Sequence, residues 1–516
     1  MGKSLAKTSI WVTILMVIGY VFSFLKEAVI ANYFGVSGAV DAYTIAITIP
    51  VTLFAVISVS IQSIVVPLYS DILINKGDQE AKSYINKLIT LVGCISMAFI
   101  VLCEVLASPL IYLFAPGFDP EVHTLATTLL RITLPTILFT LLDRVFVGVL
   151  NVHKKFVFPT LSLYVLNLVL ILFIVLLHAK WGIAAACVGQ VVGSVGQVLF
   201  LLIVVRKHIH LRLDFHWKNE AIHKSMKNSV PIIWTVSLGE VSAIVNRMVS
   251  SFLFVGSISA ISYALKINTV LMQFFTTAIA TIVYPLYAES AARRDMHQLN
   301  GRVNSTLSIY IFFLFPLMCG VLCLKEELIT VAFGRGAFDS SAINLTQQLL
   351  GIYCIGILFS AIRETTTKVF YSVQDTTTPA KNTTLGLILM IAFNIALPQV
   401  FGIYGLAIAK SLVAIIVSTR LLWQLVKKHE EIKLGQFKKN LPGIVGASWI
   451  MLSVMFFIRY IWHIDSVFVS LLIFTILGIL IYAICCILFR PPIMYEVLKM
   501  TLGKHYSKVS KYIEKK

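Results

Sequence analysis

The chain alternates between long apolar runs and short polar segments. Each run covers roughly 20 residues or more, the length that an α-helix needs to cross the hydrocarbon layer of a bilayer, and too long for a barrel strand. The pattern therefore predicts an all-α polytopic membrane protein with about 14 transmembrane helices. Their approximate positions are 8–33, 39–69, 86–114, 124–150, 157–178, 182–205, 229–254, 258–287, 304–324, 344–372, 379–399, 402–426, 441–461 and 466–489.

The runs also contain an internal repeat. The segment 64–71 recurs in similar form at 282–289, an offset of 218 residues, and Pro159 and Gly182 recur as Pro379 and Gly402, an offset of 220. A nearly constant offset over a long stretch indicates duplication. Each copy contains six predicted helices, and an even number inserts both copies in the same orientation.

This duplication predicts the domain organisation. We expect two parallel six-helix repeats around a central cavity, which opens to either side of the membrane in turn as the lobes rock. The N-lobe would cover residues 1–220 and the C-lobe residues 221–430. An additional helix pair at 431–490 and a basic cytoplasmic tail at 491–516 lie outside the repeat.

Composition supports a membrane location. Apolar residues make up 58% and charged residues 13% of the 516-residue chain, with a mean hydropathy of +0.89. Soluble domains have about 45–50% apolar and about 25% charged residues. These values exclude a cytosolic enzyme and a disordered protein.

The formal net charge is +18, and the positive residues are unevenly distributed along the chain. Lysine and arginine cluster in alternate loops and in the C-terminal tail, which the positive-inside rule places in the cytoplasm. Both termini are therefore predicted to be cytoplasmic, in contact with membrane lipids, and no nucleic-acid partner is expected. The eight cysteines lie in apolar runs without the spacing of a zinc site.

Several charged residues fall inside the predicted spans, where charge is costly and marks cavities, partners or ion pathways. They cluster on spans 1, 2 and 4 of each repeat. Structural ion pairing and snorkelling near helix ends compete with a cavity role. We select as candidate substrate-binding cations Lys26, Lys266, Arg247, Arg144 and Arg363, and as candidate cavity acids or gating pairs Glu27, Asp41, Asp143, Glu240 and Glu364.

Two points refine this choice. A cationic cavity suits a phosphate or pyrophosphate headgroup, because lysine acts as a point charge and arginine as a bidentate donor. Lys26 and Glu27 are neighbours in sequence and do not share a helix face, so they need not pair with each other.

Catalytic motifs are missing from the sequence. It has no phosphate-binding G-x-x-x-x-G-K-[ST] loop, H-E-x-x-H element or G-x-S-x-G element. We therefore expect neither an enzyme, nor a cofactor, nor a metal. Energy would come from a sodium or proton gradient, from the membrane potential, or from consumption of the product.

Short motifs, in order along the chain, resemble the MurJ/MviN family. The first is residues 26–35, followed by Asp41-Ala42-Tyr43 and Pro50. Further, different motifs of the family lie at 115–118, 333–338 and 371–379. The resemblance covers nearly the whole chain and implies membership of the multidrug/oligosaccharidyl-lipid/polysaccharide exporter superfamily.

The resemblance also implies a function in the bacterial cytoplasmic membrane. MurJ proteins flip lipid II, the undecaprenyl-pyrophosphate-linked peptidoglycan precursor used to build the cell wall. The family's cavity cations correspond to Lys26 and Lys266, and its span-2 acid to Asp41. The additional C-terminal helices would guide the lipid tail. Family arginines are replaced by Tyr20 and Phe54.

Three functions follow as hypotheses. The first is a flippase for an undecaprenyl-pyrophosphate-linked glycan, either lipid II or a capsular or exopolysaccharide repeat unit, because some family cations are missing. The second is a cation-coupled multidrug exporter of the same superfamily, which the excess of intramembrane cations disfavours. The third is a membrane scaffold without transport activity.

Overall fold

All regular secondary structure in the described part of the chain is α-helical. A computed structural model describes residues 2–209, 212, 214, 230–462 and 464–502, so the tail beyond residue 502 lies outside the described residues. No strand occurs in these ranges. This confirms the prediction of an all-α chain, in which helices satisfy their own backbone hydrogen bonds.

The chain forms two compact units. Unit 1 comprises Met1–Ala260 with Arg335–Asp339, and unit 2 comprises Ile261–Gly334 with Ser340–Lys516. The helices up to the unit boundary are α1 (Gly2–Phe34), α2 (Gly38–Asn75), α3 (Asp78–Val105), α4 (Ala107–Phe114), α5 (Pro120–Thr133), α6 (Thr136–Val152), α7 (Val157–Trp181), α8 (Ala184–Val205) and α9 (Val230–Ser251).

The boundary between the units falls within the first turn of α10 (Ser257–Ala292). The remaining helices are α11 (Met296–Phe333), α12 (Ser340–Ser372), α13 (Thr377–Ala396), α14 (Pro398–Phe401), α15 (Ile403–Lys428), α16 (Gly435–Ile461), α17 (Val467–Phe489) and α18 (Pro492–Leu502). The lobe limits proposed from the repeat, 1–220 and 221–430, remain a prediction.

Helix length and composition support most of the predicted spans. Eleven described helices are long and apolar enough to cross a membrane, and α5 with α6, bent by 41°, would make a twelfth. Helices α9 and α10 occupy the other two predicted positions. The count of 14 remains a prediction.

Backbone geometry repeats along the chain at the spacing of the sequence duplication. Lys154 and Gln374 both adopt left-handed φ values, 58° and 63°, at a separation of 220 residues. Each ends its helix in the same way, with the following N–H bonded five residues back, from Lys155 to Leu150 and from Asp375 to Phe370, both at 2.9 Å. This Schellman arrangement satisfies the last helical carbonyls.

Helix irregularities repeat as well. The break between α3 and α4 lies at Leu106, and its counterpart 218 residues later, Leu324, has non-helical angles inside α11. Tyr69 and Tyr287 are matched by the same offset, and both are fully buried. The two copies therefore retain the same bends and the same buried anchors.

The helix pair α16–α17 packs on α11 within unit 2. Cys319, Cys323, Met451, Met455 and Phe474 belong to the buried cluster they share. Polar contacts support this packing along α11. The hydroxyl of Tyr482 donates to the carbonyl of Phe312 at 2.8 Å, and the amide of Asn440 donates to Ser308 at 3.0 Å.

A glycine turn holds the loop 335–339 against α1 within unit 1. Ala337 N–H donates to the carbonyl of Asn32 at 2.8 Å. Gly35 and Gly336 both have positive φ, at 59° and 58°. A Cβ on Gly35 would overlap the carbonyl of Ala337, so the two backbones can approach this closely only without side chains.

We predict that Gly35→Ala destabilises the protein more than Gly182→Ala does. Gly182 has a similar φ of 54° with nothing within 4 Å of an added Cβ, so its substitution introduces only left-handed strain of about 1–2 kcal/mol. Gly35→Ala adds overlap with a backbone atom, a further ~1–3 kcal/mol. Thermal unfolding midpoints of the purified variants test this order, and equal midpoints would contradict it.

Candidate functional site

The carboxylate of Asp41 caps another helix from the side. It is 2% exposed, and its two oxygens accept hydrogen bonds from the N–H groups of Gly256 and Ser259, both at 2.7 Å. These donors lie at the start of α10, where N–H groups have no partner within the helix and the helix dipole favours negative charge. Asp41 therefore joins α2 to the first turn of α10 inside unit 1.

A small cavity lies beside this cap. It has a volume of about 230 Å³ and is lined by Asp41, Asp119 and the segment 251–255. Gly117 N–H donates to the Ser251 hydroxyl at 3.0 Å, which joins the turn after α4 to the end of α9. Unlike Asp41, Asp119 is exposed, and its side chain caps no helix.

Lys26 and Glu27 form an ion pair in α1. The distance from Lys26 Nζ to Glu27 Oε1 is 3.1 Å, and the side chains are 14% and 23% exposed. Helix geometry places neighbouring residues on different faces, so the sequence did not require this pair. The long lysine side chain bends to reach the carboxylate.

The charges on α6 have different surroundings. Asp143 is buried and accepts a hydrogen bond from Gln197 Nε2 at 2.9 Å, which links α6 to α8. Arg144, the next residue, is half-buried. Since a buried carboxylate requires donors, Asp143 contributes to helix packing whatever other role it has.

Two candidates lie on α9. Arg247 Nη1 donates to the carbonyl of Ala243 at 3.3 Å, and Glu240 lies two turns earlier on the same side of the helix. Both side chains are half-buried. Although α9 begins the second sequence repeat, it packs against α2 and α4 in unit 1.

Three candidates belong to unit 2. Lys266 is half-buried on α10. Arg363 and Glu364 lie on α12, where Glu364 Oε1 pairs with Lys368 Nζ at 2.7 Å. Arg363, Glu364 and Lys368 line a cavity of about 580 Å³. The other residues lining this cavity are Met272, Tyr284, Ser360, Thr367, Tyr371 and Thr383.

Sequence reasoning missed a buried ion pair. Glu327 on α11 is 6% exposed and lies 2.9 Å from Arg459 of α16. Both residues occur at the ends of apolar runs. A charged residue in or beside an apolar run is the same signal that identified the other candidates. Because a buried carboxylate that loses its partner is strongly destabilising, this pair contributes to holding α16 on α11.

The motif at 371–379 proves to be a helix cap. Asp375 accepts hydrogen bonds from the N–H and hydroxyl of Thr378 and lies 2.9 Å from Lys428 Nζ. Burial alone would raise the pKa of Asp375, but these hydrogen bonds hold it well below its usual range. The residues therefore close the turn between α12 and α13. Nowhere in the described ranges do three potential metal ligands converge.

Comparison with known proteins gives a consistent result. The sequence profile described as "Lipid II flippase MurJ" matches residues 30–478. The chain belongs to the MurJ family. It is 28% identical over 461 residues to a "Probable lipid II flippase MurJ" of Buchnera aphidicola, covering 88% of this chain and 90% of the relative. It is 27% identical to a "Lipid II flippase MurJ" of Thermosipho africanus, covering 93% and 97%.

Solved structures agree with the MurJ assignment. One described as "Lipid II flippase MurJ, inward closed conformation" superposes with a TM-score of 0.80 at 27% identity, covering 93% of this chain and 99% of that chain. An inward-facing multidrug transporter of the MATE family superposes at 0.68 with 12% identity, covering 81% and 96%. At that identity the second match shows the fold alone.

We predict that Asp41→Ala lowers the free energy of unfolding by about 3 kcal/mol, because the N–H groups of Gly256 and Ser259 lose a buried acceptor. Asp119→Asn is the matched control, since Asp119 lines the same cavity but is exposed. Chemical unfolding of both variants in detergent measures the difference. Equal stabilities would show that the cap is dispensable.

Proposed function

We propose that this MurJ family member moves an undecaprenyl-pyrophosphate-linked glycan, lipid II first among the candidates, from the inner to the outer leaflet. The observation that carries this proposal is the family match across residues 30–478. Relatives named as lipid II flippases support it, because the chain matches them over most of their length. The chain is then a transporter of the bacterial cytoplasmic membrane and not a catalyst.

The intramembrane cations are suited to a diphosphate. Lys26 uses one contact on Glu27, and its ammonium has three N–H donors, so it can bind an anion while remaining paired. We assign Lys26 and Lys266 to the diphosphate. Arg247, Arg144 and Arg363 are proposed as cations that bind other parts of the substrate. Glu27 would compensate the charge of Lys26 when no substrate is bound.

The family and the fold support alternating access as the mechanism. In this mechanism the headgroup enters from the cytoplasmic side, while the isoprenoid tail remains in lipid and the helix pair α16–α17 guides it. Both termini are assigned to the cytoplasm from the lysine and arginine distribution, and a sodium or proton gradient or the membrane potential would supply energy.

Complementation tests the substrate. Bacteria depleted of their own lipid II flippase should regain growth and cell shape when they express this chain. Rescue would support lipid II as the substrate. Failure, with the protein detected in the membrane, would exclude lipid II and favour another lipid-linked glycan such as a capsular repeat unit.

Charge reversal tests Lys26. We expect Lys26→Glu to abolish flipping in this assay while the protein still folds, because the anionic side chain repels the diphosphate. The exchanged double variant Lys26→Glu/Glu27→Lys retains an ion pair, and we expect it to remain inactive, because its cation lies about 100° away around the helix. Full activity of the exchanged variant would show that Lys26 is needed only for its ion pair with Glu27 and does not bind the diphosphate.

A further inference from the structure

The 580 Å³ cavity of unit 2 combines aromatic rings with cations. Tyr284 at the end of α10 and Tyr371 at the end of α12 line it, and their side chains are 41% and 45% exposed. Arg363 and Lys368 line the same cavity from α12, and Thr383 from α13. The volume lies within the roughly 300–1,000 Å³ usual for small-molecule sites.

The residues that give this cavity its charges and rings are not repeated in the first half of the chain. At an offset of 220, Arg363, Lys368 and Tyr371 correspond to Asp143, Gly148 and Asn151. A Cβ added to Gly148 would overlap the side chain of Val65, so a side chain such as that of Lys368 has no room there without a shift of its neighbour. The duplicated backbone therefore forms without this combination of side chains.

Two further positions that line the cavity also differ between the copies. Tyr284 corresponds to Val66 at an offset of 218, and Thr383 corresponds to Leu163 at an offset of 220. Tyrosines at membrane interfaces often anchor a helix without binding a ligand. An anchoring role alone would not require both rings to line one cavity with two cations.

The charges of the cavity point to a single anionic group. Lys368 is paired with Glu364 at 2.7 Å, and the exposed Arg363 makes no ion pair with any acid in the described part of the chain. Two cations and one acid leave one net positive charge. A diphosphate would require more, whereas one carboxylate matches an arginine, which can bind both of its oxygens.

We infer that this cavity binds the carboxylate-bearing headgroup of the substrate, with Arg363 on a carboxylate and Tyr284 and Tyr371 against the sugar rings. A tyrosine ring presents a flat apolar face and a polar tip, which suits a pyranose with an apolar C–H face and peripheral hydroxyls. The hydroxyl of Thr383 supplies a further donor, and that of Thr367, which donates to the carbonyl of Arg363 at 2.8 Å, can accept a hydrogen bond. This inference rests on the proposed function, which assigns the diphosphate to Lys26 and Lys266.

Binding by the full-length protein in lipid nanodiscs tests the inference. The two probes are lipid II and undecaprenyl pyrophosphate without sugars. We expect Arg363→Gln and Tyr371→Ala each to weaken binding of lipid II about tenfold, while binding of undecaprenyl pyrophosphate changes by no more than about twofold. Tyr460→Ala is the control, because this tyrosine is 85% exposed on α16 and does not line the cavity.

The outcomes separate the two proposals. Equal loss for both probes, or no loss for lipid II, would overturn the saccharide site while the flippase function stands. If the wild-type protein binds undecaprenyl pyrophosphate as tightly as lipid II, the saccharide site is likewise overturned and the flippase function stands. Wild-type protein that binds neither probe would overturn both proposals. Since Arg363 is exposed, Arg363→Gln should fold even if Tyr371→Ala does not.

Discussion

An unpaired backbone N–H or C=O costs several kcal/mol in hydrocarbon, and this cost governs the whole described architecture. It requires helices, and it requires each helix end to be closed. The turns at Lys154 and Gln374 close their helices with the same left-handed residue and the same bond five residues back. At the start of α10 the carboxylate of Asp41 satisfies N–H groups that the helix itself cannot.

The same cost applies to side chains and explains why structural and functional roles overlap. Asp143 is held by Gln197, Lys26 by Glu27, and Glu327 by Arg459. Each partner lowers the cost of a charge in an apolar environment, so a contact alone does not identify a structural residue. A lysine with one acid neighbour and unused donors can be held in place and still bind an anion.

Duplication separates what the fold needs from what the second copy has acquired. The breaks at Leu106 and Leu324 and the buried Tyr69 and Tyr287 persist in both copies, because packing and backbone geometry constrain them. Side chains facing a cavity have no such constraint. Where unit 1 has Gly148 packed against Val65, unit 2 has Lys368 lining a cavity.

The sequence by itself determined the helical class, the duplication and the family, because apolar run length, a constant offset and ordered motifs do not depend on contacts. It also selected the intramembrane charges, since charge in an apolar run is visible without coordinates. Only the tertiary structure decided their partners. The rotamer of a long side chain decides the Lys26–Glu27 pair. Contacts between residues distant in sequence decide the cap from Asp41 to α10 and the cavity that Tyr284 and Tyr371 share. No local sequence pattern encodes either.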